Sequence, residues 1–203
     1  MNLLKLFEDC AYNIHYEEVG KKVNYQFVEE EDTLYIYFQC SNGIIDWIRN
    51  FLFKKKVYGE FKVHRGFLSA YNEVRDIILD KVYSKIYKHV IIVGYSHGGA
   101  LCTLAVEDIA YHFPQLDVKG YAFESPRCVS AKKELRERWK DLIVIRNGSD
   151  LITHLPPKLF GFCDLGKMTK IKGDASLVKK HIPKCIKYHY PEVVIDGLQK
   201  FER

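Results

Sequence analysis

The chain has 203 residues, 47% of them apolar and 28% charged. That length suits one domain spanning residues 1–203, and folding it buries about 70% of the surface of the unfolded chain. Such a composition excludes a disordered or collagen-like protein. The net charge of +5 is uneven: residues 1–50 carry 4 basic and 9 acidic side chains, and the remainder is strongly basic. Such a surplus is an ordinary solvated exterior or a face suited to anionic surfaces. No basic–aromatic motif points to nucleic acid, and none is expected as a partner.

In chain order, residues 3–19 predict an amphipathic helix, with Leu3, Leu6, Phe7, Cys10 and Ile14 on one face. Lys5, Glu8 and Asp9 interrupt the apolar run at the start, so no secretory signal is read there. Residues 24–28 and 33–38 predict a hairpin around an acidic turn. Residues 41–62 are mixed, and the Lys54–Lys55–Lys56 run suits an exposed loop. A second helix is expected over 66–87, from Phe67, Tyr71, Val74, Ile78 and Val82 at helical spacing.

Strand and helix then alternate: an apolar strand at 89–94, a helix at 97–113, and a strand at 118–123. A charged helix at 130–140 and a strand at 142–146 follow. Continuous apolar strands alternating with helices imply a parallel sheet covered on both faces. Residues 89–106 are long enough to suggest a membrane span, but Gly94, Ser96, His97, Gly98 and Gly99 at their centre argue against it. The remainder is loop-rich and ends in a helix started by Pro191. Six cysteines with no C-x-x-C pair suggest free thiols rather than disulfides or a zinc site. No metal or other cofactor is expected, and the chain reads as a cytoplasmic protein.

The informative segment is 89–100, His-Val-Ile-Ile-Val-Gly-Tyr-Ser-His-Gly-Gly-Ala. Gly94-x-Ser96-x-Gly98, between an apolar strand and a helix, matches the tight turn that presents a nucleophilic serine. A phosphate loop is excluded because no Lys-Ser/Thr follows Gly98-Gly99. A serine hydroxyl needs an imidazole to take its proton and an acid to orient that imidazole. Asp150, closing the strand-like run 142–146 and its turn, is the expected acid; Asp164 and Asp174 lie in less regular sequence. Among the later histidines, His154 is too close to Asp150 to face it. His189 and His181 both remain open on spacing alone.

At these residues the sequence resembles the class 3, fungal-type lipase family of α/β-hydrolases, over about residues 33–198. The family's Phe-Arg-Gly-Thr looks like Phe38-Gln39-Cys40-Ser41, its Asp-Trp like Asp46-Trp47, and its His-x-Gly-Phe like His64-Arg65-Gly66-Phe67. Its elbow is Gly94-Tyr95-Ser96-His97-Gly98-Gly99-Ala100, and its Gly-x-Pro-Arg turn is Glu124-Ser125-Pro126-Arg127. The acid segment is similar to 150–156, and the C-terminal Asp-His to Tyr188-His189. Gln39, Cys40, Glu124 and Tyr188 depart from the pattern.

The resemblance implies an α/β-hydrolase fold, a mostly parallel central sheet with helices on both faces and without a large cap domain. It implies a Ser96–His189–Asp150 triad, with His181 as runner-up for the histidine. Its oxyanion hole would come from the backbone N–H groups of Ser41 and His97. The implied activity is hydrolysis of lipid or other small carboxylic esters, with transient contact to a lipid interface. A phospholipase, thioesterase or acyltransferase would use the same residues; an inactive interaction module would lack one of them. Residues 44–61, rich in Trp47, Ile48, Phe51 and Phe53, fall where related lipases carry a lid, and either form such a flap or pack on the sheet. Nothing in the sequence bears on oligomeric state.

Overall fold

The computed structural model describes residues 2–20, 23–39, 53–179 and 181–203. The first helix, α1 (Leu3–Glu8), is capped by the Asn2 side chain and runs into a π-helical turn over Asp9–Asn13. The expected helix therefore stops short of residue 19. Glu17–Val19 instead forms strand β1, because it pairs antiparallel with the edge of β2 (Val23–Glu30), Glu17 opposite Tyr25. The hairpin of β2 with β3 (Thr33–Phe38) is present as expected.

Strands β4 (Lys55–Tyr58) and β5 (Phe61–His64) then form a small hairpin where an exposed loop was expected. The lysines of β4 are compatible with a strand because that strand is an edge, and edge strands tolerate charge. Helix α2 (Arg65–Tyr83) buries the predicted stripe Phe67, Tyr71, Val74, Ile78 and Val82. The alternation follows as read: β6 (His89–Tyr95), α3 (His97–His112) and β7 (Asp117–Phe123).

The predicted charged helix at 130–140 is corrected. Val129–Ser130 is a short strand, β8, paired with β5, and Lys133–Trp139 is a 3₁₀ helix. Pairing consumes the first residues, and the tighter coil delivers Trp139 into the core, where its Nε1 donates to the Thr103 carbonyl at 2.8 Å. Strand β9 (Leu142–Asn147) is followed by β10 (Lys167–Ile171), a short strand hidden in the sequence because Lys167 and Lys170 leave it no apolar run. The short helix α4 (Lys184–Lys187) and the Pro191-initiated α5 (Pro191–Phe201) complete the chain order.

The main sheet has the order β1-β2-β3-β6-β7-β9-β10. It is parallel from β3 onward and antiparallel at β1 and β2. One face is covered by α2, α3 and Trp139, the other by α1 and α5, so each face has its own apolar core. Strands β6 and β7 lie at the centre; β6 is buried from Val90 onward and reads as an apolar run, and β7 is buried from Gly120 to Phe123, after an exposed Lys119. This is the α/β-hydrolase arrangement, with no large cap among the described residues. Cys102, Cys128 and Cys163 are buried free thiols and Cys185 a partly exposed one, as expected, and burial pushes the first two well above the usual thiol range. No helix among the described residues is long and apolar enough to cross a membrane.

Candidate active site

Ser96 sits between β6 and α3 with φ 57° and ψ −115°, a conformation that costs of order 1–3 kcal/mol for a residue with a side chain. The flanking glycines make the turn possible by allowing backbones to touch. A Cβ on Gly94 would lie 2.1 Å from the Gly98 carbonyl oxygen, and one on Gly98 would lie 2.2 Å from that of Phe38. Ser96 donates its N–H to the Phe123 carbonyl at 2.8 Å, and its own carbonyl accepts from Gly99 and Ala100 in the first turn of α3. The serine is thereby locked to two strands and one helix, with the positive end of that helix beside it.

Asp150 lies in the turn after β9. Its Oδ1 accepts from the Ile152 N–H at 3.0 Å, and its Oδ2 is 2.5 Å from Nδ1 of His189. On the other side of the ring, Nε2 of His189 is 2.8 Å from Oγ of Ser96. One neutral tautomer satisfies both contacts: Nδ1–H donates to the carboxylate, and Nε2 accepts from the serine hydroxyl. All three side chains are almost fully enclosed, Ser96 and His189 3% exposed and Asp150 1%.

The other sequence candidates lie elsewhere. His181 is exposed, while His189 stands between the serine and the acid. His154 turns its Nδ1 to the Asp150 carbonyl at 2.8 Å. Asp174 is exposed to solvent and caps the Ser176 N–H. Asp164 is bonded to Arg127, Arg146 and Lys158. His97 opens α3 directly after Ser96, and its ring packs 5.5 Å from that of Phe67. Ser41, and the part of the lid candidate from residue 44 to residue 52, lie outside the described residues.

A family model described as lipase (class 3) matches residues 35–160. The chain belongs to the class 3 lipase family. Among relatives of this lipase-family chain is a lipase from Rhizopus niveus, 30% identical in a 164-residue alignment that covers 74% of this chain and 42% of the relative. Among solved structures, Rhizomucor miehei triacylglyceride lipase is 26% identical with a TM-score of 0.65, over 77% of this chain and 66% of that one. Lipase II from Rhizopus niveus is 24% identical with a TM-score of 0.69, over 77% and 65%. The chain thus spans well under half the length of that curated relative.

Two further features of this class 3 lipase-family site escape sequence reading. Asn147, fully buried at the end of β9, donates from Nδ2 to the Tyr188 carbonyl at 2.9 Å and accepts the Gly173 N–H at 2.7 Å. It ties the segment carrying His189 to the strand carrying Asp150. Tyr95 donates its hydroxyl to the His189 carbonyl, and its ring lies near-parallel to the imidazole at 5.4 Å. These contacts join residues distant in sequence, so no local pattern announces them.

Glu124, visible beforehand as a departure from the family's glycine, directly follows β7 with φ 48° and is fully buried. Neither carboxyl oxygen receives a well-formed hydrogen bond from a donor among the described residues; the Asp150 carboxyl and the Asn147 backbone are the polar groups that act on it. Burial, and after it the Asp150 charge, push Glu124 well above the usual carboxylate range. Single ligand atoms of Glu124, Asp150 and His189 all lie within 4.8 Å of one another. These donor types could hold a cation, but both His189 nitrogens already face partners, so the cluster fits acid–base work.

Proposed function

We propose that the chain is a serine-dependent carboxylic ester hydrolase, a lipase acting on acylglycerols or related lipid esters. The observation that carries this reading is the continuous Ser96–His189–Asp150 relay at 2.8 and 2.5 Å. Ser96 Oγ attacks the ester carbonyl while His189 Nε2 takes its proton. The resulting imidazolium is held by Asp150 and returns the proton to the leaving alcohol as the tetrahedral intermediate collapses to an acyl-enzyme. Water then attacks the acyl-enzyme, again with His189 as base. The N–H of His97, at the start of α3, is assigned to the oxyanion together with that of Ser41; one such donor contributes about 3 kcal/mol in the transition state.

The acylglycerol preference draws on the family and on the relative described as a triacylglyceride lipase. Phospholipase, thioesterase and acyltransferase chemistry would use the same atoms. Exposed Leu159 and Phe160, the latter packed 4.6 Å from Phe53, form an apolar face suited to transient contact with a lipid surface. Labelling with a fluorophosphonate probe tests the nucleophile. Wild type should label and Ser96→Ala should not; equal labelling of both, or of neither, would sink the assignment. A chain-length series of nitrophenyl esters then separates short-chain esterase from lipase activity.

A further inference from the structure

Glu124 combines two unfavourable features that serve nothing in the triad as described. Its backbone is in the left-handed region, where a side chain is penalised, and its carboxyl is sealed from water beside that of Asp150. Its position is far from arbitrary. It follows the parallel strand next to β9, its N–H donates to the Ile145 carbonyl at 2.9 Å, and its carboxyl lies beside the Asp150–His189 contact.

We propose that Glu124 and Asp150 are a proton-sharing carboxyl pair behind His189, with Glu124 a positioning residue able to carry the pair's single negative charge. Two carboxylates this close in a buried site cannot both ionise cheaply, so one proton is retained between them. In the dominant arrangement Asp150 is the carboxylate that receives Nδ1–H of His189, and Glu124 keeps the proton. The other arrangement moves that proton to Asp150 and the charge to Glu124, with no change in net charge.

The groups facing Glu124 fit this assignment. Asp150 opposes its ionisation from the turn after β9. Arg146 and the Asn147 backbone favour ionisation from β9 itself, and are outweighed by burial and by Asp150. His189 approaches from the segment before α5. Neutralising Asp150 would remove the charge that opposes Glu124 ionisation and leave burial as the opposing cause. Glu124 could then become the anion that supports the imidazolium.

The proposal rests on the ester-hydrolase reading, and its test separates the two. Turnover of a soluble nitrophenyl ester is measured from about pH 5 to pH 9 for wild type, Asp150→Asn, Glu124→Gln and the double variant. Losing the acid of a serine triad lowers kcat by about 10⁴. Here Asp150→Asn should fall by only about 10²–10³, with a rate that rises with pH as Glu124 ionises. The double variant should lose at least a further tenfold together with that pH limb. Identical rates and pH profiles for Asp150→Asn and the double variant would overturn the pair.

A second readout does not use activity. A carboxyl protonated in the fold but ionised when unfolded costs stability as pH rises above about 4.3. The Tm of Glu124→Gln minus that of wild type should therefore climb between about pH 5 and pH 8. A difference that stays flat over that range rejects a retained proton. If wild type shows no Ser96-dependent turnover at all, the hydrolase reading fails and the Tm comparison alone decides the carboxyl pair.

Discussion

Ser96, Asp150 and His189 come from three separate stretches, yet the side chains that hold them are as informative as the three themselves. Asn147 makes two buried hydrogen bonds on behalf of the His189 segment. Asn147→Ala would strand the Tyr188 carbonyl and the Gly173 N–H, at about 1–3 kcal/mol for each buried group left unpaired. Urea unfolding should show a loss of at least about 2 kcal/mol. On a soluble ester kcat should fall more than KM rises, because the imidazole loses its placement rather than the substrate its contacts. At this scale the sequence pointed to the three residues that the fold brings together, but not to their supports. Ser96 was legible because a strained turn needs Gly94 and Gly98 at fixed local spacing, and Asp150 because it closes an apolar strand. Asn147 and Tyr95 act across distances of 41 and 94 residues, where spacing carries no signal.

At the scale of elements, the loop after β9 is braced from two sides. The Leu151 N–H donates to the Cys185 carbonyl near the His189 segment, and Arg127, after β7, grips the other flank. Arg127 donates to the carbonyls of His154 and Pro156 and pairs with Asp164, which also holds Arg146 and Lys158. Burial alone would raise Asp164, but hydrogen bonds from Lys158, Arg146 and Arg127 outweigh it and hold the carboxyl well below its usual range. A depressed carboxylate stabilises the fold above the unfolded value near about 3.9, and that contribution fades as pH falls through the folded value. Asp164→Asn should therefore lower Tm most at neutral pH, with the gap to wild type closing as pH drops below about 4. A constant gap would contradict this. The same elements show where sequence reading stops. Strand β6 was legible because both of its faces are buried, and β7 because its second half is. Strands β4 and β10 were not, since each is short, carries two lysines and shows no in–out alternation of burial. The charged segment after β8 has helical composition, but pairing with β5 and the burial of Trp139 decide its shape.

On the whole-molecule scale, the basic balance of the later chain joins an apolar feature. Leu159 is 90% exposed next to Phe160, with Lys158 beside them. A large side chain so exposed contributes little to stability, so its worth lies in what it can touch. Leu159→Asp should reduce co-sedimentation with anionic lipid vesicles several-fold while turnover of a soluble ester stays within about twofold, the two assays being run on one preparation. Unchanged sedimentation would remove this face from lipid contact. The charge distribution was legible from composition, whereas which apolar residues remain outside depends on packing. The route of the chain through the sheet also orders events in time. The turn carrying Ser96 is bounded by β3, β6 and β7, whereas His189 arrives 93 residues after the serine on the segment leading into α5. During synthesis the emerging chain thus carries Ser96 before His189 is made, and the Ser96–His189–Asp150 contacts form only when that late segment docks.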